Sequence, residues 1–171
     1  MSEFLSRRAL LGGFAALPLV GTGAAEAREV VPVPLEYPAG SVVVSTSQRR
    51  LYFVLGNGQA LRYTVAVGRP GKQWFGQRVI DAKYVRPAWS PPEDVRRDNP
   101  RLPDVIPGGA RNNPMGERVL TISPGQYAIH GTNVPTSIGT FASYGCVRMH
   151  NHDVVDLYER VSIGAPIIVL R

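Results

Sequence analysis

The stretch from Ser41 to Val67 constrains the fold of this 171-residue chain more than any other. Three β-branched and aromatic runs, "SVVVS" at 41–45, "RLYFVL" at 50–55 and "ALRYTVAV" at 60–67, follow one another with partial period-two alternation, the pattern of half-buried strands. "GNG" at 56–58 separates the second from the third. Asn and Gly accept the positive φ that a tight hairpin turn demands, so these two runs are expected to pair. Further strands are expected at "RVIDAKYV", "RVLTIS", "YAIHG" and the C-terminal "PIIVL". One segment reads as a helix, "NHDVVDLYERV" at 151–161, with Asn151 or Asp153 as N-cap and Val154, Leu157, Tyr158 and Val161 on one face. Gly164 and Pro166 then stop it. The expected class is mainly β: a single β-rich domain, sandwich- or barrel-like, with one short C-terminal helix.

The N-terminus carries an address rather than structure. Arg7 and Arg8 precede an apolar stretch from Ala9 to Val20, and small residues follow to Ala25-Glu26-Ala27. These are the three parts of a signal peptide, and Ser6-Arg7-Arg8 before Ala9-Leu10-Leu11 resembles the twin-arginine type. A dozen mildly apolar residues fall short of the roughly 20 that a spanning helix needs. Residues 1–27 are therefore expected to be removed, leaving a periplasmic protein with no stable membrane insertion. Residues 28–40, with Pro32, Pro34 and Pro38, are expected to form an extended Pro-rich linker. The domain proper is then 41–171, enough for one core and too little for two. Within it, residues 86–116 are rich in proline and glycine, and a loop of such length is expected to act as a lid or groove wall.

Residues 1–27 hold two basic and two acidic residues, so the remaining chain keeps the formal net charge of +6. That charge is scattered, with no basic run or aromatic-interleaved stripe, which argues against a nucleic-acid partner.

Cys146 is the only cysteine. An exported chain works where disulfides form, so a single thiol there pairs between molecules or reacts. The blander alternative is a small buried hydrophobe, against which stand the glycine before it and the polar Ser143, Tyr144 and Arg148 around it. A thiol nucleophile needs a base, because at its free pKa of about 8.5 little is ionised at neutral pH. His130 closes an apolar run and opens "IHGTNVPTSIGTFASYGCVRM"; His150 and His152 sit at the expected helix start. Cys146, His150 and His152 also form a C-x3-H-x-H pattern, but a fourth zinc ligand is missing, and no metal or other cofactor is expected.

The segment from His130 to Met149 resembles the signature of YkuD-type L,D-transpeptidases, in which a histidine stands about sixteen residues before a cysteine in Ser-x-Gly-Cys. Here Ser143-Tyr144-Gly145-Cys146 supplies the second part, and the separation is 146 − 130 = 16. The resemblance continues through "AVGRPGKQWFG", "VRPAWSPP", "RLPDVIPGG", "NNPMGERVL" and "VVDLYERVSIGAPIIVL". Two positions depart from it. Tyr144 stands where some members carry histidine or arginine, and "WFGQ" at 74–77 lacks the Thr-Pro-x-Gly of many relatives.

The resemblance implies a catalytic domain with Cys146 as nucleophile and His130 as its base. It implies that the Gly131 carbonyl orients the imidazole and that backbone N–H groups of Tyr144, Gly145 and Cys146 form an oxyanion hole. It places Arg148 on a substrate carboxylate, with Ser143, Thr132 and Asn133 as further substrate-binding residues. The implied substrate is a peptidoglycan tetrapeptide stem, cleaved with release of D-alanine. The acyl group passes to an amine of another stem or of an envelope protein, or to water in a carboxypeptidase. The rival reading is a wall-binding module that has lost the chemistry.

Overall fold

The computed structural model describes residues 29–171. The expected export signal, residues 1–27, lies outside them. Along the chain run β1 (Val30–Pro32), β2 (Val42–Ser45), β3 (Arg50–Gly56), β4 (Gln59–Thr64), β5 (Val67–Gly68), β6 (Gly76–Val85), α1 (Glu93–Asp98), β7 (Arg118–Ser123) and β8 (Tyr127–His130). Then come a 3-10 turn (Pro135–Ser137), β9 (Phe141–Ser143), β10 (Val147–Arg148), α2 (Asn151–Arg160) and β11 (Pro166–Leu170).

Nine strands form one sheet in the order β1-β4-β3-β2-β11-β6-β7-β8-β10, and β5 pairs with β9 in a second, small sheet. The fold is mainly β, as expected. The hairpin forms where the sequence places it: Val54 faces Ala60, Gly56 faces Gln59, and Gly56, Asn57 and Gly58 all take positive φ, the conformation for which Asn and Gly are suited.

Two features come from the tertiary structure alone. The C-terminal β11 enters the middle of the sheet, parallel to β2 and antiparallel to β6. It thereby covers both neighbours' edges, and Val42, Val43 and Val44 of β2 are all buried, as a strand covered on both faces requires. The stretch expected as a free linker instead contributes β1, whose Val30 and Val31 pair with Leu61 and Ala60 of β4. It remains extended, but the unpaired β4 edge gives its backbone a partner.

A single buried cluster runs from Leu51, Tyr63 and Ile80 through Leu120, Ile122 and Ile129 to Leu157 and Ile167. Each such aliphatic side chain stabilises the fold by about 1.5–3 kcal/mol through burial. Helix α2 presents Val154 and Leu157 to that cluster, with Val161 buried just beyond its end and Tyr158 partly buried, the face expected from its 3.6-residue period. Tyr63 donates its hydroxyl to Asp156 at 2.6 Å, which joins the hairpin to this helix. The helix ends differently from expectation. Val161 turns extended at φ −81° and ψ 129°, and Gly164, at φ 88°, serves the turn into β11, where its N–H donates to the Ile80 carbonyl at 2.7 Å.

Candidate active site

Strand β8 ends at His130, and its neighbour β10 runs parallel to it, with Val147 opposite Ile129 and Arg148 opposite His130. Parallel neighbours cannot be joined by a tight turn and need a connection of roughly a dozen residues or more. The sixteen positions from His130 to Cys146 are that connection. On its other side the β10 segment is held by Ala66, whose N–H and carbonyl bond to the Arg148 carbonyl and N–H at 2.9 and 2.8 Å. Cys146, His130 and Arg148 line one cavity of about 640 Å³.

His130 is 2 % exposed, and its Nδ1 lies 2.7 Å from the Gly131 carbonyl. A carbonyl can only accept, so Nδ1 carries the proton and Nε2 is left as the basic nitrogen. Burial is the main reason its pKa falls from 6.5 to about 4, and the Arg148 charge adds to the fall; the Gly131 and Pro114 carbonyls work against it. Burial likewise pushes the Cys146 thiol up, against a backbone hydrogen bond from Ala128 and the charge of Arg148. Both shifts favour the uncharged forms. The resting pair is thus thiol and neutral imidazole, an arrangement that keeps the base unprotonated.

Around Cys146 the chain is tightly braced. Ser143 Oγ donates to the Cys146 carbonyl at 2.5 Å and accepts the Gly145 N–H at 3.1 Å. Trp74 Nε1 donates to the Gly145 carbonyl at 3.0 Å while its ring stacks on Tyr127 at 5.3 Å. Gly145 has φ 121°, and a Cβ there would stand 2.4 Å from the Tyr127 ring. No side chain fits.

These contacts revise the expected roles. The Gly145 N–H is already taken by Ser143, so of the three expected oxyanion donors only the Tyr144 and Cys146 N–H groups lack an acceptor among the described residues. Ser143, 1 % exposed, lines the cavity and engages its hydroxyl with the backbone of the cysteine turn. Thr132, 3 % exposed, does not line the cavity; its Oγ1 accepts the Val134 N–H at 3.0 Å. Asn133 is exposed, also lies off the cavity, and donates to the Asn112 carbonyl at 3.1 Å. Thr132 and Asn133 thus lie off the cavity, whereas Ser143 lines it with its hydroxyl engaged by the backbone. His150 and His152 stack on each other at 5.3 Å, and no three potential metal ligands gather among the described residues.

Arg148 is half-buried. Its Nε is sealed from solvent without a hydrogen-bond partner, and no carboxylate among the described residues pairs with its guanidinium. Such a cation facing a cavity is poised to meet an anionic ligand.

Residues 86–116 form the opposite wall, through Trp89, Pro92, Glu93, Asp94 and Met115 among others. The segment is not a bare loop. The six-residue α1 sits in it, Trp89 bridges Ile106, and buried Asn113 donates to the Pro87 and Pro107 carbonyls at 3.0 Å each. Asp98 of α1 accepts from Tyr144 at 2.7 Å and from Arg69 at 2.6 Å, and Asp94 pairs with Lys72. Tyr144 thus holds the wall against the cysteine turn.

Asn151 was legible only as a candidate helix cap. The cap position falls instead to His150, and the Asn151 amide turns back: its Oδ1 accepts from the Thr132 N–H at 3.1 Å and the Glu117 N–H at 3.2 Å, and its Nδ2 donates to the Thr132 carbonyl at 3.0 Å. Trp74 was equally silent in the sequence, as one aromatic residue in a glycine-bearing stretch.

A β-sheet domain in which a thiol, a neutral imidazole oriented by a backbone carbonyl and an unpaired guanidinium share one cavity has the parts of a cysteine acyl-transfer site. The YkuD model, described as L,D-transpeptidase catalytic domain, matches residues 39–169. The chain belongs to this family. It is 35 % identical over 133 residues to YbiS, a probable L,D-transpeptidase of Escherichia coli strain K12, covering 73 % of this chain and 42 % of YbiS. ErfK/SrfK of the same strain, also a probable L,D-transpeptidase, is 30 % identical over 138 residues, covering 75 % of this chain and 43 % of that protein. The chain thus spans less than half the length of these relatives. Among solved structures, an L,D-transpeptidase from Mycobacterium smegmatis superposes with TM-score 0.61 at 17 % identity, covering 76 % of this chain and 58 % of that one. The C442S mutant of the Enterococcus faecium L,D-transpeptidase gives TM-score 0.62 at 15 % identity, covering 78 % and 50 %. At such identities these two speak for the fold alone.

Proposed function

We infer that the chain is a peptidoglycan L,D-transpeptidase of the cell envelope. One observation carries the reading: a lone thiol, a neutral imidazole oriented through Nδ1 by the Gly131 carbonyl, and an unpaired Arg148 line a single cavity. Family membership supplies the substrate class, a tetrapeptide stem.

In this reading Arg148 holds a substrate carboxylate while the carbonyl of the third stem residue meets Cys146. His130 Nε2 takes the thiol proton as sulfur adds to that carbonyl, and the Tyr144 and Cys146 N–H groups face the oxyanion. Collapse breaks the amide bond, the imidazolium returns its proton to the leaving nitrogen, and D-alanine departs. A thioester remains on Cys146. An amine then attacks the thioester, His130 accepts the amine's proton, and the thiol is regenerated as that proton passes back to sulfur. If the amine belongs to another stem the product is a cross-link; if to an envelope protein, an anchored protein; if water replaces it, the stem is only trimmed.

The Gly131 carbonyl keeps Nε2 as the accepting nitrogen throughout. No cofactor or metal enters the scheme. Export by the twin-arginine route to the periplasm belongs to the same reading, on the strength of residues 1–27.

The test is to incubate the mature protein with a purified disaccharide tetrapeptide and quantify free D-alanine and dimer. D-alanine with dimer supports transpeptidation; D-alanine with tripeptide alone makes the enzyme a carboxypeptidase. Binding without D-alanine release would favour the wall-binding module.

A further inference from the structure

The cavity holds a second guanidinium that the scheme above leaves idle. Arg78, on β6, lines it together with Arg148. Its guanidinium lies over two aromatic rings at once, 4.5 Å from the Trp74 centroid and 4.9 Å from that of Tyr127, and its Nη1 donates to the Pro124 carbonyl. Those contacts fix the group in position. They leave most of its five N–H donors uncommitted. No carboxylate among the described residues pairs with it: on the facing wall Asp94 is taken by Lys72 and Arg97, and Glu93 makes no ion pair with it.

The two arginines stand by opposite ends of strand β8. Arg78 sits over Tyr127 at the start of β8, while Arg148 stands opposite His130 at its end. Three residues of a strand span roughly 10 Å. Cys146 lies between these ends, since it precedes Val147, the partner of Ile129, and takes its backbone hydrogen bond from Ala128. A rigid, stacked guanidinium on one side of the nucleophile and a half-buried one on the other fit an extended peptide with a carboxylate on each side of the reacting carbonyl. A lysine or a mobile arginine would not fix such a spacing.

We propose that Arg78 is a specificity-determining residue that binds a side-chain carboxylate of the third stem residue, across the reacting carbonyl from the carboxylate held by Arg148. The proposal rests on the transpeptidase reading and deepens it by naming the residue of this chain that would read the side-chain charge of the third stem residue. Amidation of that side chain removes the charge and with it the contact.

The test uses the full mature chain with Cys146→Ala, which blocks turnover, and calorimetric titration with two synthetic tetrapeptides. One carries a free side-chain carboxylate on its third residue, the other the carboxamide at the same place. The expected result is that the carboxylate peptide binds about tenfold more tightly, the scale of one charge-assisted contact. Adding Arg78→Gln or Arg78→Met brings the ratio to about one, and the methionine variant retains apolar packing on Trp74 and Tyr127 should glutamine disturb the fold. Equal affinities in the Cys146→Ala protein, or a preference that survives both replacements, would overturn the proposal. The unmodified enzyme separates the two levels: D-alanine release from either peptide alongside equal affinities sinks only the role of Arg78, whereas no binding and no release from either peptide sinks the transpeptidase reading beneath it.

Discussion

The side-chain amide of Asn151 and the α-carbon of Gly131 are so close that a Cβ on Gly131 would stand 2.1 Å from Asn151 Oδ1. Glycine at 131 is thus required by space, and the amide that occupies the space fixes the backbone on which the His130 imidazole is oriented. Replacing Gly131 with alanine also brings the new methyl to 3.0 Å from the Glu117 nitrogen. The expected cost is about 2–3 kcal/mol, as for other overpacked sites, with loss of activity. Asn151→Ala removes the partners of the Thr132 and Glu117 backbone groups and costs about 2–4 kcal/mol. Urea denaturation of both variants measures these values, and destabilisation below about 0.5 kcal/mol, the usual range of surface changes, would contradict the packing argument.

His130 makes the fold sensitive to acid. Its folded pKa is about 4 against an unfolded value near 6.5, so between those values the unfolded chain takes up a proton that the native state refuses. Stability from this residue is intact above pH 6.5 and falls as pH drops toward 4, by about 3 kcal/mol in all. In His130→Gln the decline over that window is expected to be smaller by a similar amount. Denaturant titrations at pH 7, 5.5 and 4.5 check this, and parallel curves for the two proteins would refute it.

Arg148 couples charge into the pair. It lowers the pKa of both His130 and Cys146, in each case behind the larger effect of burial. Removing it in Arg148→Gln therefore raises both. The acid limb of kcat/KM, set in the free enzyme by His130, is expected below pH 6.5 in the wild type and at higher pH in the variant, alongside a rise in KM. Thiol alkylation by iodoacetamide follows the same sign, with the variant needing a higher pH for equal rate. An unchanged acid limb would mean that His130 is not the group titrating.

The wall helix α1 buries no residue and is held by ionic and hydroxyl contacts, chiefly Asp98 to Tyr144 and Arg69. Exposed contacts of this kind add little to global stability, but they set local opening. Asp98→Asn and Tyr144→Phe are expected to speed amide exchange across residues 93–98 and to leave the melting temperature near wild type. A clear drop in melting temperature with unchanged exchange would reverse that assignment.

Local signals carried much of this structure. The GNG turn, the β-branched runs and the apolar face of α2 each rest on contacts a few residues apart, and each formed where the pattern put it. The spacing from His130 to Cys146 was legible through the family resemblance, but the parallel pairing of β8 with β10 that the spacing serves was not. What the sequence concealed depends on distant partners. β1 was read as a tether because its pairing edge, β4, lies some thirty residues on; the central place of β11 is a matter of topology. The backbone hydrogen bonds of Ser143, Thr132 and Asn133 were hidden too, because a short polar side chain beside a nucleophile has two uses and the sequence does not choose between them. Asn151 shows the same ambiguity in the other direction, reading as a helix cap and acting as a brace.

The central claim is that Cys146, activated by His130, carries the acyl group. Intact-mass spectrometry of the mature protein after mixing with disaccharide tetrapeptide tests it most directly, with Cys146→Ala and His130→Ala in parallel. A transient adduct on Cys146 is expected, equal in mass to the stem without D-alanine, discharged by an added amine and absent from both variants. D-alanine release with no adduct on Cys146, or an adduct formed equally well without His130, would contradict it.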